Sequence, residues 1–332
     1  MKGGVKFFRG NAAAARNYLE TDCSRSDDYY LREGSGLAER VVATCVDGQV
    51  RLDSPFPMDG DTYERWVAGY DVDTGLARGR LRTDEHALRF VEVVVNGPKS
   101  WSLAAAAHPA VSDAYDAAQS AAADQIIAWL AEHATTRIGP RGRQVQVPVE
   151  QIEAAVVRHY TSRAGDPHRH LHLQINARVL ADGTWRGLHS VGVLHSINAI
   201  NGIGHAAVMT HPGFRQALAE HGYTLDPESG EIEQLTEQVS HFSARAAQIG
   251  QNIDTYEAEW RSENPGQEPG ARLRRTWDRR AWADARPDKA ANDSGGDDLA
   301  ENWREELVSL GHHQQPAPRS LFPTPIGEVN RQ

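Results

Sequence analysis

Cysteine is nearly absent: the chain has two in 332 residues, Cys23 and Cys45. They form neither a disulfide framework nor a metal-spaced pair, so a reducing cytoplasm is the expected setting. No long apolar run is present, and the opening Met1-Lys2-Gly3-Gly4-Val5-Lys6-Phe7-Phe8-Arg9 resembles neither a signal peptide nor a membrane span, so no membrane partner is expected. A phosphate-binding Walker A loop is also missing: Asn96-Gly97-Pro98-Lys99-Ser100 ends in Lys-Ser but lacks the G-x-x-x-x-G-K-[ST] spacing. Cations are outnumbered, with 35 Lys and Arg against 45 Asp and Glu, a net charge of -10. Taken alone this argues mildly against a nucleic-acid partner, whose affinity comes largely from phosphate neutralisation. An acidic surface can nevertheless surround a basic cleft.

What the chain does have is histidine in a pattern. In His168-Arg-His170-Leu-His172-Leu-Gln-Ile175-Asn-Ala177-Arg-Val179, His170 and His172 share one face of a strand while Leu171, Leu173 and Ile175 fill the other. His159 closes an apolar segment, Ile152 to Val157, that the Gly165-Asp166-Pro167 turn can fold back beside it as a hairpin. Three imidazoles with open positions suit a catalytic metal site, and polar surface is the competing reading. His168 is expected to flank this trio, because the turn at Pro167 argues against a strand that starts early.

Elsewhere the pattern predicts a strand at Val5 to Arg9 and a helix from Asn11, its N-cap, to Leu19. A helix is expected over Asp61 to Tyr70 with Tyr63, Trp66 and Val67 on one face. Arg78-Gly-Arg80-Leu-Arg82 reads as a basic loop and Leu88 to Val95 as a strand. Glu92, inside that strand, lies on a solvated face or is held for a purpose. Val111 to His133 reads as a long amphipathic helix against a sheet. Further expectations are hairpins at Arg137 to Val147 and Tyr223 to Glu233, and helices at Val193 to Met209 and Phe214 to His221. A charged helix running to Arg261 precedes a stretch in which Arg272, Arg274, Arg275, Arg279 and Arg280 interleave with Trp277 and Trp282. That stretch suits a nucleic-acid backbone with base stacking or, equally, a solvated helix. The division expected is 1–289 as one domain and 290–332 as a linker, a short helix and a disordered tail.

In order, the chain offers Tyr18, the pair Tyr29-Tyr30, Glu92 leading to Pro98-Lys99-Ser100, then Arg158-His159-Tyr-Thr-Ser-Arg163 with Asp166-Pro167 and His170-Leu-His172. Trp185-Arg186, Asp226-Pro-Glu-Ser-Gly-Glu231 and Phe242-Ser243-Ala-Arg245 follow. This order resembles the relaxases of conjugative plasmids, the MobF (TrwC/TraI) type within the HUH endonucleases, over most of the chain. Two departures stand out. Tyr18 lacks an adjacent tyrosine, and the acid is Glu92 where aspartate is usual. No helicase motifs follow, so the resemblance implies either a relaxase domain of a longer protein or a short relaxase served by a separate helicase.

The resemblance implies an α+β fold, with a central antiparallel sheet of the HUH or palm-like kind carrying the histidines. Helices would lie on one face, and a helical C-terminal region would close over DNA. It also implies a bacterial cytoplasmic enzyme that nicks and rejoins single-stranded DNA at an origin of transfer through a 5′-phosphotyrosine. Tyr18 would make the first cut and Tyr29 or Tyr30 the second transfer. A divalent metal would sit on His159, His170 and His172, with magnesium or manganese expected in assays and zinc, cobalt or nickel compatible with imidazole. Glu92 would fix a histidine tautomer or help deprotonate the tyrosine. Lys99 and Arg163 would contact phosphate, while the arginines at 141 and 143 and the helix around Arg274 and Arg275 would read DNA. Expected partners are an origin-of-transfer hairpin, relaxosome accessory proteins and a coupling protein. The alternatives are a rolling-circle replication initiator, a metal-dependent hydrolase in which water attacks, and a non-catalytic DNA-binding module.

Overall fold

The computed structural model describes residues 3–23, 36–82, 84–140, 142–162, 165–285 and 296–312. Tyr29, Tyr30, Arg141 and Arg163 therefore lie outside the described residues. The chain begins β1 (Val5–Arg9), α1 (Ala12–Cys23), β2 (Ala38–Val46), β3 (Gln49–Leu52), β4 (Phe56–Met58), α2 (Gly60–Ala68) and β5 (Leu88–Asn96). Next come α3 (Lys99–Ala107), α4 (Pro109–His133), β6 (Thr135–Ile138), β7 (Val145–Pro148), β8 (Gln151–Thr161) and β9 (Pro167–Asn176). It continues with β10 (Arg178–Ala181), β11 (Thr184–Gly187), α5 (Ser190–His195), α6 (Ile197–Thr210), α7 (Pro212–Glu220) and the short α8 (Thr236–Val239). Helices α9 (Ala244–Glu263), α10 (Ala271–Asp284) and α11 (Gly296–Ser309) complete it.

The central strands run β1-β5-β9-β8, with β2 on the far side of β8, and every pairing is antiparallel. One face presents Val91, Val93 and Val95 of β5, Leu171, Leu173 and Ile175 of β9, and Ile152 and Ala154 of β8. The α4 stripe Ile126, Ile127 and Leu130 covers it, together with Ile200 of α6. The other face carries Phe90, Ala155 and Val157, and packs against Ala15 and Leu19 of α1 and Tyr63, Trp66 and Val67 of α2. Helices thus flank both faces, where one had been expected. The cause is visible in β5, whose consecutive Arg89 to Val93 are all buried, as in a strand covered on two sides.

Local chemistry explains most boundaries. Asn11 Oδ1 accepts the Ala14 N–H at 2.9 Å and starts α1. Pro109 begins α4, where its missing N–H costs nothing. Gly222, at φ +75°, follows α7 in the left-handed region that a side chain would disfavour. The helix expected over Val193 to Met209 is two, because at Ser196 the N–H turns back to the Gly192 and Val193 carbonyls before α6 starts. The Tyr223 to Glu233 hairpin reduces to one bridge, Leu225 to Ile232, around a turn in which Asp226 Oδ1 accepts the Glu228 and Ser229 N–H groups.

In the loop expected to be basic, Arg78 is turned inward. That guanidinium is 1 % exposed and forks onto Glu153 at 2.5 and 2.6 Å. At the C-terminal end, α9 and α10 pack on each other through Tyr256, Trp277 and Ala281. Helix α11 returns to the body, burying Trp303 and Leu307 among residues of α3, α4 and α7. Among the described residues, no helix is long and apolar enough to cross a membrane.

Candidate active site

The histidine hairpin forms as its sequence period requires. β8 and β9 pair with His159 opposite His170 and Val157 opposite His172, and directly opposed residues share a face. On the other edge of β9, Glu92 lies opposite Gln174 and Val94 opposite His172. His159, His170, His172, Gln174 and Glu92 therefore occupy the α1 side of the sheet. The opposite side of the same hairpin is tied to α4, where Asp116 accepts from Arg158 at 3.2 Å and Arg169 at 2.8 Å.

The three imidazole centroids are 4.8 Å (159 to 172), 5.1 Å (170 to 172) and 5.2 Å (159 to 170) apart. Two rings have their Nδ1 edges engaged. His170 Nδ1 contacts the His168 carbonyl at 2.8 Å, and His172 Nδ1 contacts Glu92 Oε1 at 3.1 Å. Both contacts turn Nε2 away from these partners. Burial pushes the Glu92 carboxyl up, but the His172 hydrogen bond and charge outweigh it, with help from Lys6 and Gln174, and bring it to about 2. Burial, then the neighbouring histidines, hold His170 well below the ordinary imidazole value. Among the described residues no group of three or more His, Cys, Asp or Glu side chains is already placed to hold a metal ion.

These rings open into a cleft of about 750 Å³ that Tyr18 also lines. Ala15 and Leu19 anchor α1 to the sheet at 1 % and 2 % exposure, while Tyr18 stays 39 % exposed. Lys99, at the first turn of α3, lines the same space, as do Lys6, Asp166, Ser243 and Arg245. Among the described lining residues three cations stand against one carboxylate, with Glu92 3.9 Å from Lys6 behind them, and the cleft is basic within an acidic chain. Burial lowers the Lys99 ammonium to about 8, with Asp166 opposing, and burial raises Asp166, with Lys99 opposing.

Sequence reasoning placed Tyr18, Glu92, Lys99, His159, His170 and His172, and the fold brings all six to this region. His168 is a correction. β9 begins at Pro167, so His168 lies inside the strand, lines the cleft and stands 4.7 Å from the His170 ring. Burial, then Lys99 and Arg245, lower it to about 3. Arg245, Lys6 and Asp166 were missed as site residues. Arg245 and Asp166 had a signal, their places in Phe242-Ser-Ala-Arg245 and Asp166-Pro167; Lys6 had none.

Arg143, Arg274 and Arg275 lie outside the cleft lining. Arg143 is exposed beside the β6–β7 turn. Arg275 is exposed on α10, whereas Arg274 is within 3.7 Å of Glu257 and 3.8 Å of Glu268. Trp277, on the stretch read as base-stacking or equally as a solvated helix, is buried against Trp260 between α9 and α10.

A sequence model of the family described as TrwC relaxase matches residues 12–310. No curated protein sequence matches. Among solved structures, the fold is similar to a conjugative relaxase TrwC in complex with oriT DNA in a copper-bound form. That pair has 21% identity and a TM-score of 0.68 over 95% of this chain and 100% of the other. A metal-bound form of that complex gives 19% identity and 0.65 over 94% and 100%. TrwC with a 27-mer DNA comprising the recognition hairpin and the cleavage site gives 20% and 0.63. The family match spans the tyrosine helix, the histidine hairpin and the C-terminal helices alike, and the chain accordingly belongs to the TrwC relaxase family, DNA nickase-transesterases that act at the origin of transfer in conjugation.

Proposed function

We propose that Tyr18 makes the first cut in a single strand of origin-of-transfer DNA, on a phosphate bound to a divalent cation held by His159, His170 and His172. The observation that carries this reading is that Tyr18 and all three imidazoles line one cleft. Three rings bound through nitrogen to one tetrahedral ion would have centroids roughly 5 Å apart. The 4.8 to 5.2 Å separations fit that requirement. Imidazole donors suit manganese, zinc, cobalt or nickel better than magnesium. When bound, such a cation neutralises charge on a non-bridging phosphate oxygen during in-line displacement.

The chain's own groups do the rest. The Tyr18 hydroxyl gives its proton to solvent and its oxygen forms a bond to phosphorus as the bond to the 3′ oxygen breaks, and the departing 3′ oxygen takes a proton from solvent. The 5′-phosphotyrosine preserves the energy of the phosphodiester, so a later 3′-hydroxyl can reverse the transfer. Lys99, Lys6 and Arg245 neutralise flanking phosphates. Glu92 acts as an orienting group and not as the base: His172 and Lys6 face its Oε1, and Gln174 engages its Oε2. Tyr29 or Tyr30 takes the second transfer, with Arg163 assisting at phosphate. Arg141, Arg143, Arg274 and Arg275 are reserved for DNA outside the cleft, with accessory proteins, a coupling protein and a separate helicase as further partners.

The test uses oligonucleotides tiling the transfer origin of the parent plasmid, incubated with Mn²⁺ and resolved on a denaturing gel. A covalent adduct that disappears in Tyr18→Phe is the expected result. Cleavage without an adduct would replace this reading with hydrolysis by water, and an adduct that persists in Tyr18→Phe would transfer the first cut to another tyrosine.

A further inference from the structure

Behind His172 lies a chain of hydrogen bonds longer than an orienting carboxylate needs. Tyr63 of α2 reaches Gln174 Oε1 at 2.7 Å, Gln174 Nε2 reaches Glu92 Oε2 at 3.3 Å, and Glu92 Oε1 meets His172 Nδ1 at 3.1 Å. Tyr63 is 0 % exposed, Gln174 1 % and Glu92 8 %. Buried polar side chains are costly unless each is satisfied, and here each has a partner within the chain.

The proton order in the chain follows from its carboxylate. An ionised Glu92 can only accept, so the Gln174 amide must turn its NH₂ toward Glu92 and its oxygen toward Tyr63, which must then donate. From the other side, the neutral His172 that a metal ligand must be donates to Glu92 through Nδ1–H and keeps its lone pair on Nε2. Each proton points toward Glu92.

A glutamate has three side-chain torsions, and holding one oxygen leaves the other end able to swing. Gln174 supplies the second hold, and Tyr63, fixed between the sheet and Trp66 in the α1–α2 cluster, holds Gln174. We propose that Gln174 and Tyr63 are positioning residues for the metal ligand His172, acting through Glu92. The inference rests on the metal-binding reading above. It adds that affinity for the cation is set partly from the buried side of α2.

Nuclear magnetic resonance of the imidazole nitrogens in metal-free protein reads the tautomer directly, and calorimetry with Mn²⁺ reads affinity. Gln174→Leu keeps size and removes the hydrogen bonds, while Tyr63→Phe removes one oxygen and keeps the ring. In wild type, His172 should be wholly Nδ1–H, and in Gln174→Leu it should divide between tautomers. Outer hydrogen-bond partners of metal ligands are worth about 10- to 100-fold in affinity. One step further out, about a three- to tenfold loss is expected for Gln174→Leu and a smaller one for Tyr63→Phe, with melting curves showing both folded. An unchanged tautomer together with unchanged Mn²⁺ affinity in both folded variants would overturn the proposal. Wild-type protein that binds no Mn²⁺ would instead sink the metal reading, and the tautomer measurement would still judge the relay.

Discussion

Two polar assemblies occupy the α1–α2 side of this sheet, and they are built in opposite ways. At one end of β8, Glu153 is 1 % exposed and fully engaged. Arg78 forks onto it, Trp66 Nε1 donates to it at 2.8 Å, and Arg40 stands 3.7 Å away. The Arg78 guanidinium also lies over the Trp185 ring at 4.6 Å. At the other end, His159, His170 and His172 are gathered as closely as a core cluster, yet they open into a cleft beside Tyr18. The first assembly satisfies its charge inside the protein and serves the fold. The second holds His170 and His172 by Nδ1 and opens onto a space that a phosphate and its counterion can enter. A buried carboxylate alone does not mark an active site; what marks one is donors aimed at a space.

The sharpest break of this contrast is Glu153→Ala. It would leave the Arg78 charge buried without its carboxylate, and a loss of about 3–5 kcal/mol in unfolding free energy is expected from denaturant titration. His170→Ala should do the reverse. Stability should change by less than about 1 kcal/mol, while Mn²⁺ binding and adduct formation are abolished. If both variants unfolded alike, the distinction between the two clusters would be lost.

A finer probe is Lys99. Each phosphate contact to single-stranded DNA contributes about 0.7 to the slope of log K against log salt, so Lys99→Gln should flatten that slope by roughly 0.7. Because the ammonium is lowered to about 8, wild-type affinity should fall as pH rises through 8, and Lys99→Arg should remove that fall.

The smallest effect concerns His108, a third polar group, packed in the α3–α4 layer. Its Nε2 meets the Tyr223 hydroxyl at 3.0 Å and its ring stacks on His221. Burial, then the charges of His221 and His312, lower it to about 4 from 6.5. The unfolded chain therefore binds this proton first, so stability is complete above about pH 6.5 and declines as pH falls toward 4. His108→Gln should flatten thermal stability across that window.

The legible parts were those with a local period. The alternation in His170-Leu-His172-Leu fixes which residues share a face, and the Gly165-Asp166-Pro167 turn brings His159 opposite His170, so the trio could be read before any coordinates. Helix α2 was equally readable from Tyr63, Trp66 and Val67, because one turn of spacing identifies a buried face. Illegible were the features that depend on residues distant in the chain. Arg78 reads only as part of a basic loop until Glu153, 75 positions away, is seen beneath it. Trp277 reads as a stacking residue or part of a solvated helix face until α9 covers it.

The sequence by itself determined the chemistry available: three imidazoles on a hairpin, a tyrosine on the first helix and an acid in a neighbouring strand, all set by strand and helix periods. Only the tertiary structure decided that Tyr18 and the histidines share one cleft, that Lys6, Lys99 and Arg245 make it basic in an acidic protein, and that Gln174 and Tyr63 stand behind Glu92. The physical reason is that periodicity orients a side chain within its own element, whereas which elements meet is settled by burying both faces of the sheet at once.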